Sequence, residues 1–157
     1  LYYVYGEYKT FDICIHAIKQ NIRALEYIHN QTDEICTEAI CIDICALKYI
    51  KNKSEKICLK AIEQNPFALQ YIKNQTSFLC EKAILNNVMS LKYVVNQTDD
   101  LCSIAINCNV AALQYIKNQT NKICLQAVQK DCTSIRFIKE KYDDVYLHVA
   151  KNYGWGD

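Results

Sequence analysis

The chain has 157 residues, a formal net charge of +1, three glycines and one proline. A charge this close to zero provides no general electrostatic attraction to nucleic acid or to an anionic membrane. No apolar run approaches the roughly 18 residues of a membrane span, and no signal-peptide pattern is present. We therefore expect no membrane association and a cytoplasmic rather than a secreted location. Because Leu1 rather than Met opens the chain, inside a repeat, we expect a fragment of a longer protein.

Residue types recur every 22 positions along the chain. The cysteine column contains Cys14, Cys36, Cys58, Cys80, Cys102 and Cys124. The alanine column contains Ala17, Ala39, Ala61, Ala83, Ala105 and Ala127. The aromatic column contains Tyr27, Tyr49, Tyr71, Tyr93, Tyr115 and Phe137. A strict period of this length is typical of a repeat array, in which each unit buries surface only against its neighbours.

In chain order, residues 1–9 resemble the second half of a repeat, and residues 142–157 form a partial or capping repeat. Six full repeats occupy residues 10–141 and begin at Thr10, Thr32, Ser54, Thr76, Thr98 and Thr120. In the last stretch, Tyr142, Tyr146 and Tyr153 replace the usual Thr, Cys and Asn, and the Gly154–Gly156 end has no helix pattern. Terminal repeats usually differ, because one of their faces meets water. We therefore predict a single repeat array over residues 1–157.

The repeat at residues 32–53 begins with Thr32, which is a good N-cap for a helix of about ten residues. Asp33 and Glu34 then lie in the first turn, where the helix dipole favours negative charge. Inward-facing apolar residues follow at helical spacing, namely Ile35, Cys36, Ala39 and Ile40. The pattern therefore predicts one amphipathic α-helix in the first half of each repeat.

An Asn/Asp column follows this helix, and it predicts a corner between two helices. Its members are Asn21, Asp43, Asn65, Asn87, Asn109 and Asp131. Such residues cap a following helix and tolerate left-handed backbone. Pro66 falls just after Asn65, at the first helical position, where proline is well tolerated. We predict a second helix of about eight residues with Ala46, Leu47, Tyr49 and Ile50 inward, ended by Asn52.

These elements predict an all-α fold, an α/α solenoid or superhelix of 22-residue helix-turn-helix repeats. A leucine-rich repeat is the competing interpretation, because its periods include 22 and Leu69-x-Tyr71-x-x-Asn74 mimics its core motif. Two columns oppose it. The position two after the Asn should be apolar but is Thr or Ser, and the position after the Tyr should face outward but is Ile or Val.

The repeat motif resembles the short helical repeats of the domain of unknown function family 4116. Its matching elements are Ala61-Ile62, Asn65, Ala68-Leu69 and Tyr71-Ile72, repeated along nearly the whole chain. The YIKNQT form at residues 71–76 and 115–120 is most similar to giant-virus members. The resemblance implies a multi-repeat protein of viral origin in host cytoplasm or in a virion. It implies no chemistry, because the family has no assigned catalytic residues.

The ten cysteines raise the possibility of metal sites or disulfides, which geometry opposes for the cysteine column. Neighbouring members lie one repeat apart, ~8–10 Å, whereas a disulfide needs Cα atoms within about 7 Å. We therefore expect small buried hydrophobic side chains. Cys41 and Cys108 fall in polar columns and should be exposed, and Cys45 and Cys132 lie near corners. Cys41 and Cys45 could pair or share a metal, but we expect no metal and no other cofactor.

Five Asn-x-Thr/Ser sequons recur in the same period, at Asn30, Asn52, Asn74, Asn96 and Asn118. Glycosylation requires secretion, whereas a helix end at Asn and a cap at Thr explain both residues. The three histidines, His16, His29 and His148, are scattered and form no catalytic constellation. We therefore expect no enzymatic activity and no small-molecule ligand.

An asymmetry of charge provides the main functional indication. The outward columns of the second helix hold seven candidate partner-binding cations: Lys48, Lys51, Lys73, Lys92, Lys117, Arg136 and Lys139. Their placement also complements helix dipoles, with bases near C-termini. The leading hypothesis is a non-enzymatic scaffold that binds a protein partner. The alternatives are a basic stripe for nucleic acid or an acidic partner, and an accessory region of a larger enzyme. No aromatic residue is expected among the exposed lysines, so base stacking is not predicted.

Overall fold

The computed structural model describes residues 11–154 and divides the chain into two compact units, Leu1–Asn74 and Gln75–Asp157. In the first unit the helices are α1 (Phe11–Gln20), η1 (Ile22–Tyr27), α2 (Asp33–Ile42), η2 (Ile44–Lys48), α3 (Glu55–Gln64) and η3 (Pro66–Tyr71). In the second unit they are α4 (Ser77–Asn86), η4 (Val88–Tyr93), α5 (Asp99–Cys108), η5 (Val110–Tyr115), α6 (Asn121–Lys130), η6 (Cys132–Phe137) and α7 (Asp143–Tyr153). The predicted half repeat at residues 1–9 lies outside the described residues.

Every regular element within residues 11–154 is a helix. In the first unit α1 packs on α2 and α2 on α3, while η1 packs on η2 and η2 on η3. In the second unit α4 to α7 pack in chain order, as do η4 to η6. The prediction of an all-α helical-repeat solenoid is therefore confirmed. The leucine-rich interpretation is wrong, because it requires a strand in each repeat.

The predicted caps begin and end the α-helices. Ile35 N–H donates to Thr32 Oγ1 at 3.3 Å, and Ser54, Thr76, Thr98 and Thr120 cap α3 to α6 in the same way. At the other end, Asp43 N–H donates to Ala39 O at 2.9 Å, while Asp43 Oδ1 accepts from Cys45 N–H at 2.8 Å. One corner residue thus ends one helix and caps the next. Its backbone is extended rather than left-handed, with φ between −148° and −159° in the six corners.

The second helix of each repeat is a 3-10 helix of five or six residues, not an α-helix of about eight. Ala46 N–H donates to Asp43 O and Tyr49 N–H to Ala46 O, each at 2.9 Å, which is the i+3 pattern. Because a 3-10 helix rises ~2 Å per residue, six residues span about 12 Å, close to the ~15 Å of a ten-residue α-helix. The short helix therefore nearly matches the length of its partner.

The second helix also ends earlier than predicted. Its C-cap residue is Tyr49 in η2 and an Ile or Val in the other repeats, so Asn52 lies beyond it in a bend. Pro66 occupies the start of η3 as predicted. At the C-terminal end, Tyr142 precedes α7 without a side-chain cap, and Gly154 ends the helix in left-handed conformation (φ 69°). Glycine carries no Cβ penalty in this conformation.

The core consists of the predicted inward columns. The cysteine column is buried throughout, and the alanine column is buried except for the half-buried Ala17. The aromatic column is the exception: Tyr27 is 72 % exposed and the other members are half-buried, so the expectation that Tyr49 faces inward is only partly correct. In the second unit, Ser90 and Ser134 are fully buried, and their hydroxyls make no hydrogen bond.

Candidate functional site

All seven cations that the sequence indicated as partner-binding are exposed on the second-helix side of their repeats. Lys48, Lys51 and Lys73 belong to the first unit, and the second contains Lys92, Lys117, Arg136 and Lys139. Their side chains fall into three groups according to what they contact. One group lies over aromatic rings and a second reaches backbone carbonyls, while Lys73 makes no hydrogen bond or ion pair with the rest of residues 11–154.

The first group pairs each cation with a ring of the aromatic column. In the first unit, Lys48 Nζ lies 5.3 Å from the centroid of the Tyr71 ring. In the second unit, Lys92 Nζ lies 4.8 Å from its neighbour Tyr93, and Arg136 Cζ lies 4.7 Å from Phe137. Such cation–π contacts contribute about 0.5–1 kcal/mol at exposed sites. The sequence analysis expected no aromatic residue at exposed positions among these lysines; the rings of Tyr71, Tyr93 and Phe137 are half-buried and nevertheless lie beside the cations.

From Lys48 onward, the column that holds these cations alternates between a cation and a glutamine. Gln70 and Gln114 lie between Lys48, Lys92 and Arg136 in the repeat order. Each of these glutamines donates instead to a carbonyl of its own helix, Gln70 Nε2 to Phe67 O at 3.1 Å and Gln114 Nε2 to Ala111 O at 2.9 Å. The cations of these pairs therefore recur at alternate repeats, and the ring belongs to the next repeat for Lys48 and to the same repeat for Lys92 and Arg136.

The second group joins neighbouring repeats through backbone carbonyls. Lys51 Nζ donates to Ile28 O at 3.4 Å in the first unit. In the second unit Lys117 Nζ donates to Val94 O and Lys139 Nζ to Ile116 O, each at 2.8 Å. These ammonium groups therefore retain part of their hydrogen-bonding capacity for a partner, but they also support the stacking of repeats.

A column of glutamines contributes a stronger connection, which the sequence analysis missed. The glutamine column consists of Gln31, Gln75, Gln97 and Gln119. Gln119 Nε2 donates to Leu113 O at 2.8 Å and to Phe137 O at 3.0 Å, while its Oε1 accepts from Lys139 N–H at 2.9 Å. Gln31 and Gln97 make the same three bonds. The recurrence of Gln in the YIKNQT motif was the signal that could have revealed this column.

The cysteine column also makes weak hydrogen bonds, which account for a thiol at a buried position. Cys36 Sγ donates to Gln31 O and Cys58 Sγ to Lys53 O, each at 3.8 Å. Burial raises the pKa of Cys102 and of Cys124 to about 11, with further contributions from the carboxylates of Asp99 and Glu140, respectively. These thiols are therefore protonated and unreactive at neutral pH.

The off-column cysteines have different surroundings, and no disulfide joins any of the ten cysteines, all of which lie within residues 11–154. Cys41 and Cys108 are exposed, as predicted, and Cys45 and Cys132 are half-buried at the starts of η2 and η6. Cys41 Sγ accepts from Gln64 Nε2 at 3.0 Å rather than bonding to Cys45.

We expect iodoacetamide at pH 8 to alkylate Cys41 and Cys108 first, and Cys102 and Cys124 far more slowly. At this pH a thiol with a pKa of about 11 is only ~0.1 % thiolate, whereas Cys41 and Cys108 lie on the surface, where the reagent reaches them. Peptide mass spectrometry over a time course measures each rate. The unfolded protein is the control, in which all ten thiols should be alkylated at similar rates. Comparable native rates at Cys102 and Cys108 would contradict the assigned burial.

Three other patterns considered from the sequence have local structural roles. The Thr or Ser of each sequon caps an α-helix, as described above. His16 Nε2 lies 3.1 Å from Gln20 Nε2, and His148 is a neighbour of Asn152. Within residues 11–154, no three His, Cys, Asp or Glu side chains are placed to hold a metal ion. Among the same residues, no helix has the length and apolar character that crossing a membrane requires.

Together the stacked α and 3-10 helices define an all-α helical repeat protein whose neighbouring repeats are joined by side-chain hydrogen bonds to the backbone. Residues 32–76, which span two repeats, match the family model described as Domain of unknown function (DUF4116). The resemblance seen in the motif is confirmed over these residues, and the likeness to giant-virus members stays a prediction. No curated protein and no solved structure matches the chain.

Proposed function

We propose that the repeats form a non-enzymatic scaffold that binds a protein partner through the outward side of the 3-10 helices. The observation that carries the proposal is the pairing of exposed cations with half-buried rings, as in Lys92 with Tyr93 and Arg136 with Phe137. Tyr and Arg are enriched among the residues that dominate binding energy at interfaces. The partner surface that suits these pairs is acidic with some apolar area.

The pairing also favours binding on entropic grounds. A flexible cation loses rotamer freedom when it is immobilised at an interface, which costs about 0.5–1.5 kcal/mol per side chain. Arg136 already lies against the Phe137 ring in the free chain, so part of that cost is met before a partner arrives. Repeat arrays commonly bind extended partners over several units.

Affinity capture from host cells tests the proposal with two matched variants of the full chain. Lys92→Glu with Arg136→Glu reverses two cations of the ring pairs. Lys56→Glu with Lys122→Glu instead reverses the charge of two exposed lysines on α3 and α6. We expect the first variant to retain about tenfold less of a partner that the second retains fully, because charge reversal opposes an acidic surface. Equal retention by both variants would contradict the proposal.

Nucleic-acid binding is the second candidate, since cations and rings share one surface. Each ring in a pair already has a cation over its face, which reduces the area left for base stacking. Titration with labelled duplex and single-stranded nucleic acid separates the two candidates. Binding that weakens steeply with salt would favour nucleic acid, and no binding at low salt would reject it.

We further propose a cytoplasmic location, because unpaired exposed thiols such as Cys41 and Cys108 suit a reducing compartment. A role as the accessory region of a larger enzyme stays a prediction.

A further inference from the structure

One repeat of the first unit interrupts the glutamine column. Lys53 occupies the position that Gln31, Gln75, Gln97 and Gln119 occupy in other repeats. Its Nζ donates to Ile50 O at 2.9 Å. A lysine cannot accept a hydrogen bond, whereas each glutamine of the column accepts one through Oε1.

The replacement leaves one backbone donor without an acceptor. The glutamine oxygens accept from the N–H groups 20 residues later, on Lys51, Val95, Lys117 and Lys139. The equivalent group after Lys53 is the N–H of Lys73, which donates no hydrogen bond to any of the described residues 11–154. A polar donor that is bonded in four repeats is therefore left available in this one.

The same replacement concentrates positive charge around this donor. A cavity of about 220 Å³ is lined by Lys51, Lys53 and Lys73, together with Asn52 and Asn74 of the two bends. Among the residues that the structure describes, no carboxylate forms an ion pair with any of the three ammonium groups. Lys51 and Lys53 are each oriented by one carbonyl bond, to Ile28 O and Ile50 O, so each keeps two further N–H donors.

We propose that this cavity binds a phosphate-type dianion. One oxygen of the anion accepts from the Lys73 N–H, in place of the glutamine oxygen of other repeats, and the remaining oxygens accept from the three ammonium groups. The lining favours an oxyanion over a cation, because it offers three positive charges and no carboxylate. On the same measure a single water molecule needs only ~10–15 Å³, so this cavity leaves room for a tetrahedral oxyanion.

The source of the phosphate group is either the free ion or a phosphorylated side chain, and the chemistry of recognition is common to both. This site lies in the first unit and does not depend on the ring pairs of the second unit, so it can be tested separately from the proposed function. Lys51 and Lys73 were among the seven cations that the sequence indicated, and Lys53 was not.

Amide NMR titration of the full chain tests the proposal at constant ionic strength. The probes are inorganic phosphate, a short phosphoserine peptide and its unphosphorylated form, with chloride as the background anion. We expect saturable shifts of the Lys73 amide with both phosphate probes and none with the unphosphorylated peptide. If the phosphopeptide binds more tightly than inorganic phosphate, a phosphorylated side chain is the preferred source. If it binds equally or more weakly, the free ion is the preferred source.

The matched variant is Lys53→Gln, which installs the residue that four other repeats carry and is therefore compatible with the fold. It removes one ammonium group and supplies an acceptor for the Lys73 N–H, so we expect about tenfold weaker phosphate binding. Lys56→Gln removes the same charge outside the cavity and should bind as the unmodified chain does. The absence of a saturable shift with either phosphate probe, or equal binding by Lys53→Gln, would overturn the proposal.

Discussion

Replacing Ala83 by leucine is expected to lower the free energy of unfolding by about 1–3 kcal/mol, because the larger side chain overpacks a contact between helices. Ala83 lies on α4 with 0 % of its surface exposed. Its carbonyl also accepts the Asn87 N–H at 2.9 Å, so displacement of α4 disturbs the corner that caps η4. Urea unfolding measures the change, and it is followed by circular dichroism at 222 nm because the signal at this wavelength reports helix content.

The control for this prediction is Glu81→Leu, on the same helix. Glu81 is exposed, so the same side chain is added without meeting the core. We expect a change within about 0.5 kcal/mol, as is usual for surface substitutions. If Ala83→Leu were as mild as Glu81→Leu, the alanine column would not be the close contact between repeats that the structure indicates.

The second large effect is expected for Gln119→Ala, which should lower the free energy of unfolding by about 3 kcal/mol. The variant removes three hydrogen bonds at a side chain that is only 5 % exposed. Each intramolecular hydrogen bond contributes about 1 kcal/mol net, and partners that are left unsatisfied raise the cost. Amide hydrogen exchange at Lys139, whose N–H loses its acceptor, should also become faster.

Gln114→Ala is the matched control, since Gln114 is an exposed glutamine with one bond to Ala111 O. We expect it to change the free energy of unfolding by less than about 1 kcal/mol. A loss of equal size in both variants would show that the glutamine column contributes no more to stability than an exposed glutamine does.

Ala83→Leu and Gln119→Ala test two different kinds of contact between neighbouring repeats. The alanine column acts through close apolar packing, which any small side chain can provide. The glutamine column acts through directional bonds that join a loop to the backbone of two consecutive 3-10 helices. The second way requires one residue type, and this explains why the replacement at Lys53 alters the local chemistry rather than only the packing.

The local features of the fold were predictable from the sequence because each depends on neighbours within four residues. Thr32 caps α2 through the N–H of Ile35, and Asp43 caps η2 through the N–H of Cys45. The helix type of the second half was not predictable. Over six residues, a pattern with three residues per turn and one with 3.6 place nearly the same side chains inward.

The candidate site was predictable only in outline. The exposed positions of Lys92 and Arg136 follow from the column pattern, but the rings beneath them do not, since the aromatic column was expected to face inward. Gln119 resembles an ordinary polar loop residue in the sequence, and the most distant partner of its side chain lies 20 residues ahead. A bond over that distance exists only once two repeats are stacked.

The sequence by itself determined the period, the corners, the caps and the buried cysteine and alanine columns, because local hydrogen bonds and apolar spacing decide these features. The tertiary structure decided which polar side chains are used between repeats and which remain available. The three lysines around the Lys73 N–H illustrate the difference. They are separated by up to 22 positions in the chain, and only the packing of successive bends brings their charges to one cavity.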